Sequence, residues 1–253
     1  MKIKNDKKEN LIYALDFDGV LCDSAIETAI SGWKFAQILW NDMPLGSPSQ
    51  EYIEAFREVR PFLKIGYESV LIMRLLFEGL SVSELCNNYE VETQKLIERE
   101  YINIDELKKD FGEVRDKWIE QSLDEWIEMS PLFDGVVDFL ATLEKENCYI
   151  VTTKQEHFVK YILEANGISI EDEYIWGLDK GMSKVDILFL IQSKNVNKNI
   201  IFIEDRLLTL SDVVKDERLN AIQLQFVSWG YNTFADREDG RLDKRIELIN
   251  KLN

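Results

Sequence analysis

The sequence predicts an α/β protein with a three-layer core, a parallel sheet between helices, interrupted once by an all-helical insertion. Two observations predict it. From Pro131 onward, short apolar runs alternate with segments of helical periodicity, which is the pattern of successive strand and helix units in a parallel sheet. Residues 24–129, by contrast, carry apolar residues at helical spacing and little that reads as strand. At 253 residues the chain is long enough for a core plus an inserted unit. The expected division is a core of residues 1–23 and 130–253 and a helical unit of residues 24–129.

The first element is Leu11-Ile12-Tyr13-Ala14-Leu15, a nearly unbroken apolar run that reads as a strand buried on both faces. It delivers Asp16-Phe17-Asp18-Gly19, two acids separated by one residue and followed by a glycine that permits a tight turn. Carboxylates resist burial unless paired or bound to metal, so a strand ending in two of them belongs at a ligand-binding sheet edge. In the insertion, Ile26, Ile30, Trp33 and Ala36 mark one helical stripe, and Val70, Met73, Leu76 and Phe77 another. Pro44, Gly46 and Pro48 break the helices once, Arg60-Pro61 breaks them again, and Gly79-Leu80-Ser81 supplies a stop followed by an N-cap. Four of the six tryptophans, Trp33, Trp40, Trp118 and Trp126, are read as the filling of a helical core. Arg57, Arg60 and Lys64 are placed to reach a substrate anion, but the preferred reading is surface charges.

After Pro131 the sequence predicts a helix over 134–147, with Val136, Val137, Leu140 and Leu143 on one stripe. Cys148 to Val151 is the next buried strand and runs into Thr152-Thr153-Lys154. A helix from Glu156 to Asn166 stops at Gly167, a short strand lies near Tyr174-Ile175-Trp176, and another helix begins after Ser183. Ile200 to Ile203 is a strand that ends in Glu204-Asp205. The alternation in 221–226 suits a sheet edge with one wet face. Trp229-Gly230-Tyr231 reads as loop packing.

Composition excludes several classes. The net charge of −17, from 30 basic and 47 acidic residues, would repel a nucleic-acid backbone or an anionic membrane, so neither is expected as a partner. With 45% hydrophobic residues the chain is nonetheless expected to fold. Cys22, Cys86 and Cys148 lie far apart in no paired motif, and residues 1–10 are polar and lysine-rich with no apolar signal core. The expected setting is cytoplasmic, with reduced thiols. The single histidine, His157, opens a helix and is read as a surface residue.

The carboxyl ends of neighbouring parallel strands meet at one crevice, which gathers Asp16, Asp18, Thr152, Glu204 and Asp205. Asp16 is the candidate covalent nucleophile, since a carboxylate can attack phosphorus without an activating histidine. A phosphate is also negative, and two unit charges ~4 Å apart repel by about 4 kcal/mol at an effective dielectric of ~20. A cation is therefore required. Oxygen ligands beside a phosphate favour Mg²⁺, held by Asp16 and Asp205, with Glu204 a weaker candidate and the Asp18 backbone carbonyl in reach. Asp18, crowded by acids, is the candidate proton carrier. Thr152 offers its hydroxyl to a phosphate oxygen. Lys184, opening a helix after Ser183, is the lysine expected to neutralise that phosphate, with Lys180 and Lys154 in reserve.

Taken in order, Asp16-Phe17-Asp18-Gly19-Val20, Val151-Thr152-Thr153-Lys154, Ser183-Lys184 and Phe202-Ile203-Glu204-Asp205 resemble the four motifs of the haloacid dehalogenase superfamily. The resemblance implies a Rossmann-like core with a helical cap at the place of the insertion. It implies Asp16 as nucleophile, Asp18 as general acid and base, Thr152 and Lys184 on the phosphate, and Asp205 on Mg²⁺. Dehalogenase members lack the second aspartate, so Asp18 points to phosphoryl chemistry on a small phosphorylated metabolite. Many members carry a further acid where this chain has Thr209, and Arg206 stands where a small residue is common; Glu204 is the candidate to supply the missing acid. The resemblance also leaves room for a phosphomutase or a catalytically silent binding relative.

Overall fold

The computed structural model describes residues 10–240 and 243–252, so the polar stretch at 1–9 lies outside the described residues. The chain folds into two compact units, one of Met1–Asp23 with Leu132–Asn253 and the other of Ser24–Pro131. Among the described residues no helix is long and apolar enough to cross a membrane.

Strand β1 (Leu11–Leu15) opens the first unit. The second unit is helical: α1 (Ala25–Leu39), α2 (Gln50–Val59), α3 (Glu68–Phe77), α4 (Val82–Arg99) and α5 (Ile104–Glu128). The breaks fall where proline, glycine and cap chemistry put them. A single 3₁₀ turn, Arg60–Phe62, follows α2, and Ser81 caps α4 through a reciprocal bond with Glu84. Trp33, Phe56, Met73, Leu85 and Phe111 share one core, and Trp40, Trp118 and Trp126 are also buried, as the helical reading expects. Arg60 is buried in this unit rather than on its surface, and Lys64 Nζ meets Glu90 at 2.7 Å.

Within the helical unit a buried ion pair links its first and last helices. Glu27, fully buried on α1, takes Nε and an Nη of Arg115 on α5 at 2.8 Å each. It also accepts from Ser31 Oγ at 2.7 Å and Trp126 Nε1 at 3.1 Å. Glu27 N donates to Met129 O at 3.2 Å, so the two segments next to the chain junctions are hydrogen-bonded to each other. Removing one partner strands the other charge, so Arg115→Met is expected to lower stability by ~3–5 kcal/mol. Chemical denaturation checks this, and a loss within experimental error would show the pair to be dispensable.

The first unit continues with α6 (Val136–Ala141), β2 (Cys148–Val151), α7 (Glu156–Ala165), β3 (Ile175–Trp176), α8 (Lys184–Lys194), β4 (Asn199–Glu204), α9 (Leu207–Lys215), β5 (Gln223–Val227), α10 (Phe234–Gly240) and β6 (Ile246–Ile249). Among the described residues the sheet has six parallel strands in the order β3-β2-β1-β4-β5-β6. This is the expected α/β, Rossmann-like architecture. Its apolar filling comes from Ile12 and Ala14, Phe202, Leu224 and Phe226, against Ile187, Ile191 and Val213 of the helices.

Three expectations are corrected. The helix read over 134–147 is shorter, ending at Ala141 before a 3₁₀ turn at Lys145–Asn147, and Val137 is exposed. Strand β5 is not an edge, because β6 pairs beside it. Its alternation has another cause: Gln225 Nε2 donates to Glu247 Oε2 across the pair at 3.0 Å, so a polar face persists inside the sheet. His157 is half-buried, its ring packed on Phe158.

Chain order explains where a site must form. From β1 the sheet grows one way to β2 and β3 and the other way to β4, β5 and β6, so the topological switch lies between β1 and β4. Leu15 lies opposite both Ile150 and Ile203, and Asp16 N extends the ladder to Ile203 O at 2.9 Å. Asp16, Thr152 and Glu204 therefore leave the sheet side by side.

Candidate active site

The turn after β1 sets the first two acids. Phe17, between them, is fully buried and anchors the segment, while its N–H donates to Asp16 Oδ1 at 2.7 Å. Gly19 adopts φ +88°, and a Cβ there would lie 1.9 Å from Asp205 Oδ2. Only glycine fits that position.

Lys184 is the first residue of α8, whose N-cap Ser183 accepts the Asp186 N–H. Its ammonium reaches 2.8 Å from Asp16 Oδ2 and 2.8 Å from Glu204 Oε2. Glu204 is fully buried, and its other oxygen accepts the N–H groups of Asp205 and Arg206 at 3.0 Å each. Asp205 Oδ2 accepts the Tyr231 N–H at 2.7 Å, and its carbonyl accepts from Asn232 Nδ2 at 3.0 Å. Thr152, buried past the end of β2, accepts the Lys154 N–H on Oγ1 at 3.1 Å. Lys154 in turn places Nζ 3.1 Å from Asp18 Oδ1.

The electrostatics follow from this crowding. Burial, then the neighbouring Glu204 charge, pushes the Asp16 carboxyl up to about 7, with Lys184 partly opposing. Burial also raises Glu204, again against the pull of Lys184. For Lys184 burial works against the charge, but the carboxylates of Asp16 and Glu204 outweigh it and hold the ammonium above its ordinary value.

Ligand atoms of Asp16, Glu204 and Asp205 all lie within 4.8 Å of one another. This donor set is all oxygen and anionic, which fits a hard divalent ion such as Mg²⁺ and offers nothing to a soft one. The third acid of the set is Glu204, while Thr209 lies in α9 and brings no carboxylate. Of the reserve lysines, Lys180 sits with Glu156 at 3.2 Å, whereas Lys154 meets Asp18, two residues after Asp16.

The loop after β5 has a larger part than packing. A Cβ at Gly230 would meet Asp205 Cβ at 2.3 Å and Gly19 O at 2.5 Å, so the loop passes directly beneath the acid. Tyr231 OH also donates to Asp23 Oδ1 at 2.9 Å, and Trp229 Nε1 to Val20 O at 3.2 Å. The glycine between two aromatic residues was the one sequence signal for this close approach.

An α/β fold with an acidic switch-point crevice of this kind defines a class, and solved structures identify the fold as that of haloacid dehalogenase-like hydrolases. The chain is similar to a protein from Bacteroides fragilis described as a candidate haloacid dehalogenase-like hydrolase, at 15% identity and TM-score 0.56, over 91% of this chain and 92% of the other. It is similar to a candidate phosphoglycolate phosphatase from Lactobacillus delbrueckii subsp. bulgaricus, at 14% identity and TM-score 0.54, over 96% and 95%. A hydrolase from Pseudomonas syringae matches at 19% identity and TM-score 0.51, over 90% and 89%. No protein-family model matches the chain, and no curated protein matches it in sequence.

Proposed function

We propose that this protein is a Mg²⁺-dependent phosphatase that hydrolyses a small phosphorylated metabolite through an aspartyl-phosphate on Asp16. The observation that carries the reading is the pairing of each aspartate with its own lysine, Lys184 on Asp16 and Lys154 on Asp18, beside the acid cluster at the switch point.

In the proposed sequence Asp16 attacks the phosphorus and the bond to the leaving oxygen breaks. Asp18 gives that oxygen a proton. Ionised Asp18 then takes a proton from water as the water attacks the aspartyl-phosphate, and the bond from phosphorus to Asp16 breaks, restoring the carboxylate. Thr152 and Lys184 hold the phosphate oxygens and keep the nucleophile aimed. Asp16, Asp205 and Glu204, with the Asp18 carbonyl, would hold Mg²⁺, which supplies positive charge against the phosphate. The helical unit, leaving the core after Asp23 and returning at Leu132, is proposed as the cap that governs access. Cys22, Cys86 and Cys148 form no disulfide among the described residues, in keeping with the proposed cytoplasmic setting.

A panel of phosphate monoesters, including 2-phosphoglycolate because of the neighbour so described, tests the reading. Inorganic phosphate is expected to appear with Mg²⁺, to stop on chelation and to return when Mg²⁺ is restored. Isomerised sugar phosphate instead of free phosphate would make the protein a mutase. Binding without turnover would make it a silent relative.

A further inference from the structure

We infer that Lys154 is a positioning residue, one that aims the carboxyl group of Asp18 at the oxygens between which protons move. The inference rests on the phosphatase reading. A lysine side chain only 1% exposed is rare unless its ammonium is partnered, and here Nζ lies 3.1 Å from Asp18 Oδ1. The two residues are 136 positions apart, so their meeting is a product of the fold.

Both ends of the contact are held. The backbone of Lys154 donates to Thr152 Oγ1 at 3.1 Å and accepts the Leu178 N–H at 3.0 Å. Gly177 packs so close that a Cβ there would lie 2.5 Å from the Lys154 carbonyl oxygen. At the other end, the buried Phe17 and the Gly19 turn fix the backbone around Asp18, whose side chain remains 18% exposed. A carboxyl group with one oxygen on a fixed ammonium cannot rotate about its Cβ–Cγ bond without breaking the ion pair. Lys154 thus does for Asp18 what Lys184 does for Asp16. Two aspartates separated by one residue receive two separate lysines, one from the segment after β2 and one from the first turn of α8.

The test compares wild type, Lys154→Met, Asp18→Asn and the double variant on two Mg²⁺-supported substrates. One is p-nitrophenyl phosphate, whose leaving group needs no proton at neutral pH; the other is the best alkyl phosphate from the panel. The readout is kcat/KM, which ends with phosphoryl transfer to Asp16. Lys154→Met is expected to lose roughly 10²-fold on the alkyl phosphate, the scale of a misplaced general acid, and little on the aryl phosphate. In the Asp18→Asn background the same change should cost nothing more. Equal losses on both substrates, or losses that add to those of Asp18→Asn, would make Lys154 a phosphate-binding cation and overturn the inference. A crystal structure of Lys154→Met gives an answer independent of turnover: the Asp18 carboxyl should rotate away, and an unmoved carboxyl would refute the positioning role. Absence of turnover in wild type would instead remove the phosphatase reading.

Discussion

Asp16→Asn is expected to abolish phosphate release, with kcat lower by roughly 10⁴- to 10⁶-fold, the range seen when a covalent nucleophile or its base is removed. The amide cannot be phosphorylated, yet it is nearly isosteric with the carboxyl, so the fold should persist. Phosphate-release kinetics check the first point, and retention of wild-type activity would remove the covalent mechanism. The same variant carries a second expectation in the metal-free protein. Burial and Glu204 raise the folded Asp16 carboxyl to about 7, above the ordinary carboxylate value. A group whose folded pKa is raised contributes stability that is present below its unfolded pKa and lost as pH rises through the folded one. The stability of wild type relative to Asp16→Asn should therefore fall between about pH 4 and pH 7. Parallel stability curves across that window would contradict the buried setting of Asp16.

Gly19→Ala is expected to damage the proposed Mg²⁺ site although it removes none of the proposed ligands. The new methyl group would lie 1.9 Å from Asp205 Oδ2, and φ +88° is a conformation that an alanine holds only under strain. Asp205 is already hemmed in by Gly230 and by the Tyr231 N–H, so it must rotate out of the cluster rather than shift slightly. Loss of ligand orientation typically costs about 10- to 100-fold in metal affinity. The Mg²⁺-dependent rise in Tm, measured alongside the Mg²⁺ requirement for turnover, reads this directly. Gly135→Ala is the control, because Gly135 has φ +81° but nothing within 4 Å of its Cβ position. It should share the backbone strain and leave the Mg²⁺ response unchanged. Equal effects from both substitutions would mean that strain alone, not Asp205, is responsible.

The strands and the acids at their ends were legible because the relevant signals are short-range. An unbroken apolar run such as 11–15 has one economical fate, and Ser183 before Lys184 is a helix start within a few residues. Alternation, however, reports whether a face is wet and not how many neighbours a strand has. For that reason β5 read as an edge while β6 went unseen. The loop at 229–231 was equally opaque, since the distance between Gly230 and Asp205 is a fact about two loops and not about either one.

What the sequence alone determined is the α/β class, the helical segment after β1 and the polar residues at the strand ends, because periodicity and turn residues act over a few positions. What only the tertiary structure decided is which charge meets which. Glu27 finds Arg115 88 positions away, and Asp205 is held by Tyr231 from 26 positions away. Lys154 goes to Asp18 and Lys184 to Asp16 and Glu204. A lysine reaches several ångströms on a flexible stem, so its partner is chosen by strand register and by the backbone that crowds it. Those are set only when β1, β2 and β4 align.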